Sequence, residues 1–221
     1  MIDSYLLPKT ILCFLSILFV TVGTSCGPTE ANTESGCPLL TPADANGGVT
    51  LEEGSCFQIN ERVRVTDGDL TIEPGVRLIF AEHTGLSIRH DSRLIADASG
   101  GDPITFEGLE SASSGSGFWR GIKFYGSFSR DNVLNNIIIT DAGSTGWTSI
   151  SPEAAIYIQN TSQVHVTDIA ITNSKLHGIE VTHGSYLNGC EGLSFEGITG
   201  DGKPINTNRT NEHRVCDDQW F

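Results

Sequence analysis

Six short segments of this chain repeat one pattern, apolar, polar, apolar, polar, and that alternation belongs to a strand with one buried face rather than to a helix. They are Leu70-Thr71-Ile72-Glu73, Leu86-Ser87-Ile88-Arg89, Ile104-Thr105-Phe106-Glu107, Ile122-Lys123-Phe124-Tyr125, Ile156-Tyr157-Ile158-Gln159 and Ile179-Glu180-Val181-Thr182. Starts at 70, 86, 104, 122, 156 and 179 are separated by steps of 16, 18, 18, 34 and 23 residues. The fourth step holds an insertion or skips a unit, and the Gly-Ser-Thr-Gly-Trp stretch from Gly143 marks the excess. Further apolar pairs lie between these segments, among them Val76 and Leu78, Leu94 and Ala96, Ile137 and Ile139, and Val164 and Val166, set apart by Gly, Asp, Asn and Ser turns. No long run has a 3.6-residue apolar period, so little helix is expected.

A four-residue strand is too narrow to bury its apolar face alone. Repeated at this interval it is stabilised by stacking coil on coil at about 4.8 Å, with alternate residues filling a continuous core. The pattern therefore predicts an all-β fold, a parallel β-solenoid. A β-sandwich or β-propeller also strings short strands between glycines, but the one-way repeat and the turn asparagines Asn132, Asn135, Asn136, Asn160 and Asn173 favour stacked coils with side-chain amides bonding from one to the next. The phrases at 70 to 76, 85 to 88, 103 to 106 and 119 to 124 resemble the single-stranded right-handed parallel β-helix proteins of bacteria, the pectate-lyase-like solenoids, including many cell-surface lipoproteins. The resemblance covers roughly residues 50 to 200. It implies a right-handed β-helix and leaves function open, because this architecture hosts lyases, hydrolases, epimerases, adhesins and coats.

Lys9 followed by the apolar run Thr10 to Val22 reads as a signal peptide over residues 1–25. Val22-Gly23-Thr24-Ser25-Cys26 resembles the lipobox of bacterial lipoproteins, which implies lipidation of Cys26 and anchorage to a membrane surface, with ordinary cleavage to a soluble secreted protein as the alternative. Residues 26–48, rich in Gly, Thr, Glu, Asn and Pro, read as a flexible tether, and residues 49–221 as one domain. With Cys13 and Cys26 set aside, Cys37, Cys56, Cys190 and Cys216 remain; of the three possible pairings, their placement suggests local bridges clamping the two ends, Cys37 to Cys56 and Cys190 to Cys216. The spacing fits neither zinc nor redox motifs. A net charge of −14 argues against an electrostatic grip on nucleic acid or anionic lipid; the partner expected is a polysaccharide or a surface protein.

Function is sought on outward positions, since the inward ones are aliphatic or Phe. Aligning the repeats gives one outward column of Thr71, Ser87, Thr105, Lys123, Tyr157 and Glu180, and a second of Glu73, Arg89, Glu107, Tyr125, Gln159 and Thr182. Glu73, Arg89 and Glu107 alternate in sign and are expected to compensate one another. Lys123, Tyr125, Tyr157 and Glu180 place rings and charges on adjacent rungs, a surface suited to a sugar, walled by loops 107–118 and 141–154. Trp119 is expected against the body and Trp147 exposed, the latter joining the ligand-binding set. The expectation is a non-catalytic binding or structural module; the alternative is a small lyase-like enzyme using Lys123 or Arg120 as base. No cofactor or metal is expected: no carboxylate cluster for calcium is evident, Asp67-Gly68-Asp69 reads as a turn, and in His177-Gly-Ile-Glu180-Val-Thr-His183 strand parity separates the acid from the histidines.

Overall fold

The structure, a computed structural model, describes residues 36–109, 116–207 and 214–216. The signal segment and Cys26 lie outside the described residues. Among the described ones there is no α-helix, and no helix long and apolar enough to cross a membrane.

The chain passes six times through short strands. The first pass holds β1 (Val49–Leu51), β2 (Cys56–Ile59) and β3 (Arg62–Val65); the second β4 (Leu70–Ile72), β5 (Arg77–Phe80) and β6 (Gly85–Arg89); the third β7 (Leu94–Asp97), β8 (Ile104–Gly108) and β9 (Ile122–Tyr125). The fourth holds β10 (Val133–Thr140) and β11 (Ala154–Gln159), the fifth β12 (Gln163–Thr172) and β13 (His177–Val181), the last β14 (Tyr186–Gly189), β15 (Ser194–Glu196) and β16 (Ile205–Asn206). Every pairing between these strands is parallel. They form three ladders: β1-β4-β7-β10-β12-β14, β2-β5-β8-β10-β12-β15 and β3-β6-β9-β11-β13-β16. The long strands β10 and β12 serve both of the first two ladders. They do so by bending at Asn136 (φ 56°) and Asp168 (φ 51°), residue types that tolerate the left-handed region. This all-β arrangement of parallel sheets is compatible with a β-solenoid.

The period-two pattern fills the core. In the third ladder Val63, Leu86, Ile122, Ile156, Ile179 and Ile205 stand in register, with Val65, Ile88, Phe124, Ile158 and Val181 beside them. In the second, Phe57, Leu78, Phe106, Ile139, Ile171 and Phe195 do the same. Like side chains thus stack on like, each rung covering the apolar face its neighbour cannot bury. Trp119 is fully buried, its ring 4.0 Å from that of Phe80 and its Nε1–H bonded to the Thr140 carbonyl at 2.7 Å.

The structure corrects two expectations. The repeat unit is one pass of three strands, not one strand: Val49 pairs with Leu70 and Leu70 with Leu94, so an uninterrupted pass takes 21 or 24 residues. Steps of 16 and 18 residues therefore move between ladders, while the step of 34 from Ile122 to Ile156 is one true pass, lengthened by the loop after Ala142. The corner asparagines do bond from pass to pass: Asn132, fully buried, receives the Leu94 N–H at 3.0 Å and donates to Ser127 Oγ, Ser129 O and Gln163 O, and Asn135 and Asn136 donate to Asp97 Oδ1 and Ala98 O of the preceding pass. Finally, the segment from Cys37 to Gly48, expected as tether, packs on the body with Leu40 and Ala45 buried.

Both disulfides hold an extra rung at an end. Cys37 joins Cys56, and Leu39 bridges Gln58 in parallel; Cys190 joins Cys216, and Val215 bridges Leu187. An uncovered end exposes unpaired backbone groups, and each crosslink fastens the short segment that covers one. Two such bonds place the protein in an oxidising, extracytoplasmic environment.

Candidate functional site

On the outer face of the third ladder, parallel pairing in register sets Arg64, Ser87, Lys123, Tyr157, Glu180 and Asn206 in one row, with Arg89, Tyr125 and Gln159 in the next. The expected neighbours Lys123, Tyr157 and Glu180 are thus consecutive. Thr71 and Thr105 do not belong to this row; they lie on the first and second ladders. The charge column fails for the same reason: Arg89 stands beside Tyr125, and Glu107 pairs with Arg77.

Lys123 is 3% exposed, and its Nζ lies 4.9 Å from the Tyr125 ring centroid, 5.5 Å from that of Tyr157 and 5.8 Å from that of Trp147. Among the described residues it makes no hydrogen bond or ion pair. Three aromatic faces replace water around the ammonium, at a cost: burial, with Arg89 adding repulsion, pulls its pKa down to about 8.

Trp147 reaches this point on the loop 143–153, which folds back over the ladder. Its indole rests on Gly85, where a side chain is excluded because a Cβ would stand 2.9 Å from Trp147 Cη2. Arg120 holds the loop, Nη1 donating to Gly146 O at 2.6 Å and Nε to His83 O at 2.8 Å. Lys175 Nζ donates to Ser144 O at 3.1 Å and pairs with Glu153 at 3.4 Å. Trp147 is thus half-buried rather than exposed, and its Nε1–H, with Ser144 Oγ and Thr145 Oγ1, is buried without a partner.

Arg62 and Arg64 are exposed on the edge strand β3, and with Arg89, Arg120 and Lys123 they gather five cations on one face of a chain whose net charge is −14. None of the five has an ion pair among the described residues, whereas Arg77, Arg93 and Lys175 elsewhere each have a carboxylate. Arg89, 5.5 Å from the Tyr125 ring centroid, is held below the usual guanidinium range first by burial and then by Arg64; Arg120 is lowered by burial and then by Arg62. An open cleft between Arg62, Arg120, Trp147, Ser149 and Glu153 runs beside the row, and a second adjoins Arg62 and Arg64. The sequence reading missed Arg62 and Arg64, whose strand Arg62-Val-Arg-Val65 has the same alternation as the others but with arginine outward.

Glu180 is fully buried. Its Oε2 accepts from Asn206 Nδ2 at 2.6 Å and lies 3.9 Å from His177 Nε2, while Oε1 has no partner, so burial lifts the carboxyl pKa to about 7. His177 does approach Glu180, its Nδ1 accepting the Lys203 N–H at 3.0 Å; His183 turns away to Thr182 Oγ1 at 2.8 Å. No cluster of three or more His, Cys, Asp or Glu suited to a metal occurs among the described residues. Tyr157, at 2% exposure, and Glu180 thus form the floor and far end of the row, while Arg62, Arg64, Tyr125 and Trp147 border its accessible part. Such an arrangement attracts an oxyanion and offers rings to a sugar. Arg120 is spent on two carbonyls and is ill placed to take a substrate proton. No known protein family, curated protein or solved structure matches this chain.

Proposed function

We propose that this is an exported surface protein, a single right-handed β-helix of the pectate-lyase-like kind lipid-anchored through Cys26, that binds an anionic glycan without transforming it. The observation that carries the reading is the collection of five cations that have no ion pair among the described residues, beside Tyr125 and Trp147, on one face of an otherwise acidic molecule. A carboxylate- or sulfate-bearing sugar complements both features: its charge meets the arginines and its ring C–H face meets an aromatic side chain. Overall repulsion from the acidic body limits the partner to one that engages this face alone. The test uses one backbone in three forms, neutral dextran, carboxymethyl-dextran and dextran sulfate, titrated into the mature protein at low salt. Binding of the charged forms, weakening as salt rises, is expected; equal binding of neutral dextran, or binding of none, contradicts the reading.

A second reading, a lyase with Lys123 as base, is favoured by the lowered pKa of about 8, which brings the amine near a working range for proton abstraction. The cover over Nζ and the commitment of Arg120 make it the weaker of the two.

A further inference from the structure

The loop 143–153 is lightly fastened. From Thr145 to Pro152 its one hydrogen bond to the body, among the described residues, is that from Arg120 to Gly146 O; the bonds of Ser151 N to Thr148 O and of Thr148 Oγ1 to Ser151 Oγ are internal. Yet it closes over two donors that have no acceptor. One is its own Trp147 Nε1–H, buried without a partner; the other is Lys123 Nζ, covered on three sides by rings. A buried donor left unpaired is costly, and the unpartnered indole N–H and the ammonium are neighbours here, Nζ standing over the indole face 5.8 Å from its centroid. The unpartnered hydroxyls of Ser144 and Thr145 belong to the same loop.

We propose that the loop 143–153 is a lid that closes on one acidic group of the ligand, its carboxylate or sulfate oxygen held between the Lys123 ammonium and the Trp147 indole N–H. The proposal rests on the glycan-binding reading and deepens it: the exposed arginines capture the polymer, and the lid selects a charged sugar at one position. Gly85 provides the seat on which the indole closes, and Arg120 the latch that fixes the loop backbone.

The test compares Trp147→Phe, which keeps a ring and removes the N–H, with Lys123→Met, which keeps the length and removes the charge, and with the double variant, using carboxymethyl-dextran and dextran sulfate. Each single variant is expected to bind at least tenfold more weakly, and the double variant little worse than either, because both donors serve one group. The change in tryptophan emission on binding is expected in the wild type and absent in Trp147→Phe. Whichever polymer shows the larger loss identifies the acid group. Wild-type binding of the charged dextrans with unchanged affinity in either single variant overturns the lid and leaves the face reading standing. Failure of the wild type to bind either charged dextran overturns both.

Discussion

Glu180 shows how far a residue's setting departs from its place in a sequence column. Outward parity is what the alternation predicts and what the row has, but Asn206 on the next rung covers the carboxylate and leaves Oε1 dry. Burial raises the carboxyl pKa to about 7, the amide of Asn206 offsetting only part of it. A raised acid pKa means that the folded state favours the proton, so the stability tied to this group is full below the ordinary carboxylate range and is lost as pH rises towards about 7. Melting temperatures of the wild type and Glu180→Gln between pH 4.5 and 8 check this. The wild type is expected to lose stability relative to the variant across that window; parallel curves would contradict it. Lys123 and Tyr157 were legible as neighbours because both follow an inward isoleucine by one residue. The burial of Lys123 was not, since it depends in part on a tryptophan brought from another part of the pass.

At the scale of the element, the strands were legible and their partners were not. Alternation fixes which side chains of a strand face in, but the same four-residue phrase serves any of three ladders, and sequence distance between phrases does not say which. Hence Thr105 and Ser87, alike in pattern, sit on different ladders, while Arg62-Val-Arg-Val65, unlike the others in its outward residues, escaped the alignment although it begins the candidate row. At the ends the cysteine pairing was legible from placement, whereas the packing of the segment from Cys37 to Gly48 was not. Each disulfide closes a separation of 19 or 26 residues, a loop whose crosslink stabilises by about 3 kcal/mol in the chain-entropy model. Cys190→Ser is therefore expected to lower stability by about 2–4 kcal/mol in denaturant titration, with hydrogen exchange rising first in β14. A change under about 0.5 kcal/mol, the range of ordinary surface substitutions, would show that the C-terminal rung does not depend on the bond.

At the scale of the molecule, charge distribution says more than charge total. A net −14 excludes a broad electrostatic grip on polyanions, yet five of the cations have no ion pair among the described residues and share one face, so any attraction is local and oriented. Anchorage would present that face at a surface. If Cys26 is lipidated, a palmitate analogue labels the wild type and not Cys26→Ala, and the protein sediments with membranes; label persisting in the variant would refute the anchor. Neither outcome bears on the candidate face, two of whose members, Arg62 and Arg64, are exposed on an edge strand where substitution disturbs no core. The measurement that bears most directly on the account is the same charged-dextran titration carried out on the wild type and on the Arg62→Ala, Arg64→Ala double variant across a salt series. Affinity at least tenfold lower in the variant, about 1.4 kcal/mol, with a shallower salt dependence, is the predicted result; wild-type affinity and salt dependence retained in the variant would contradict it.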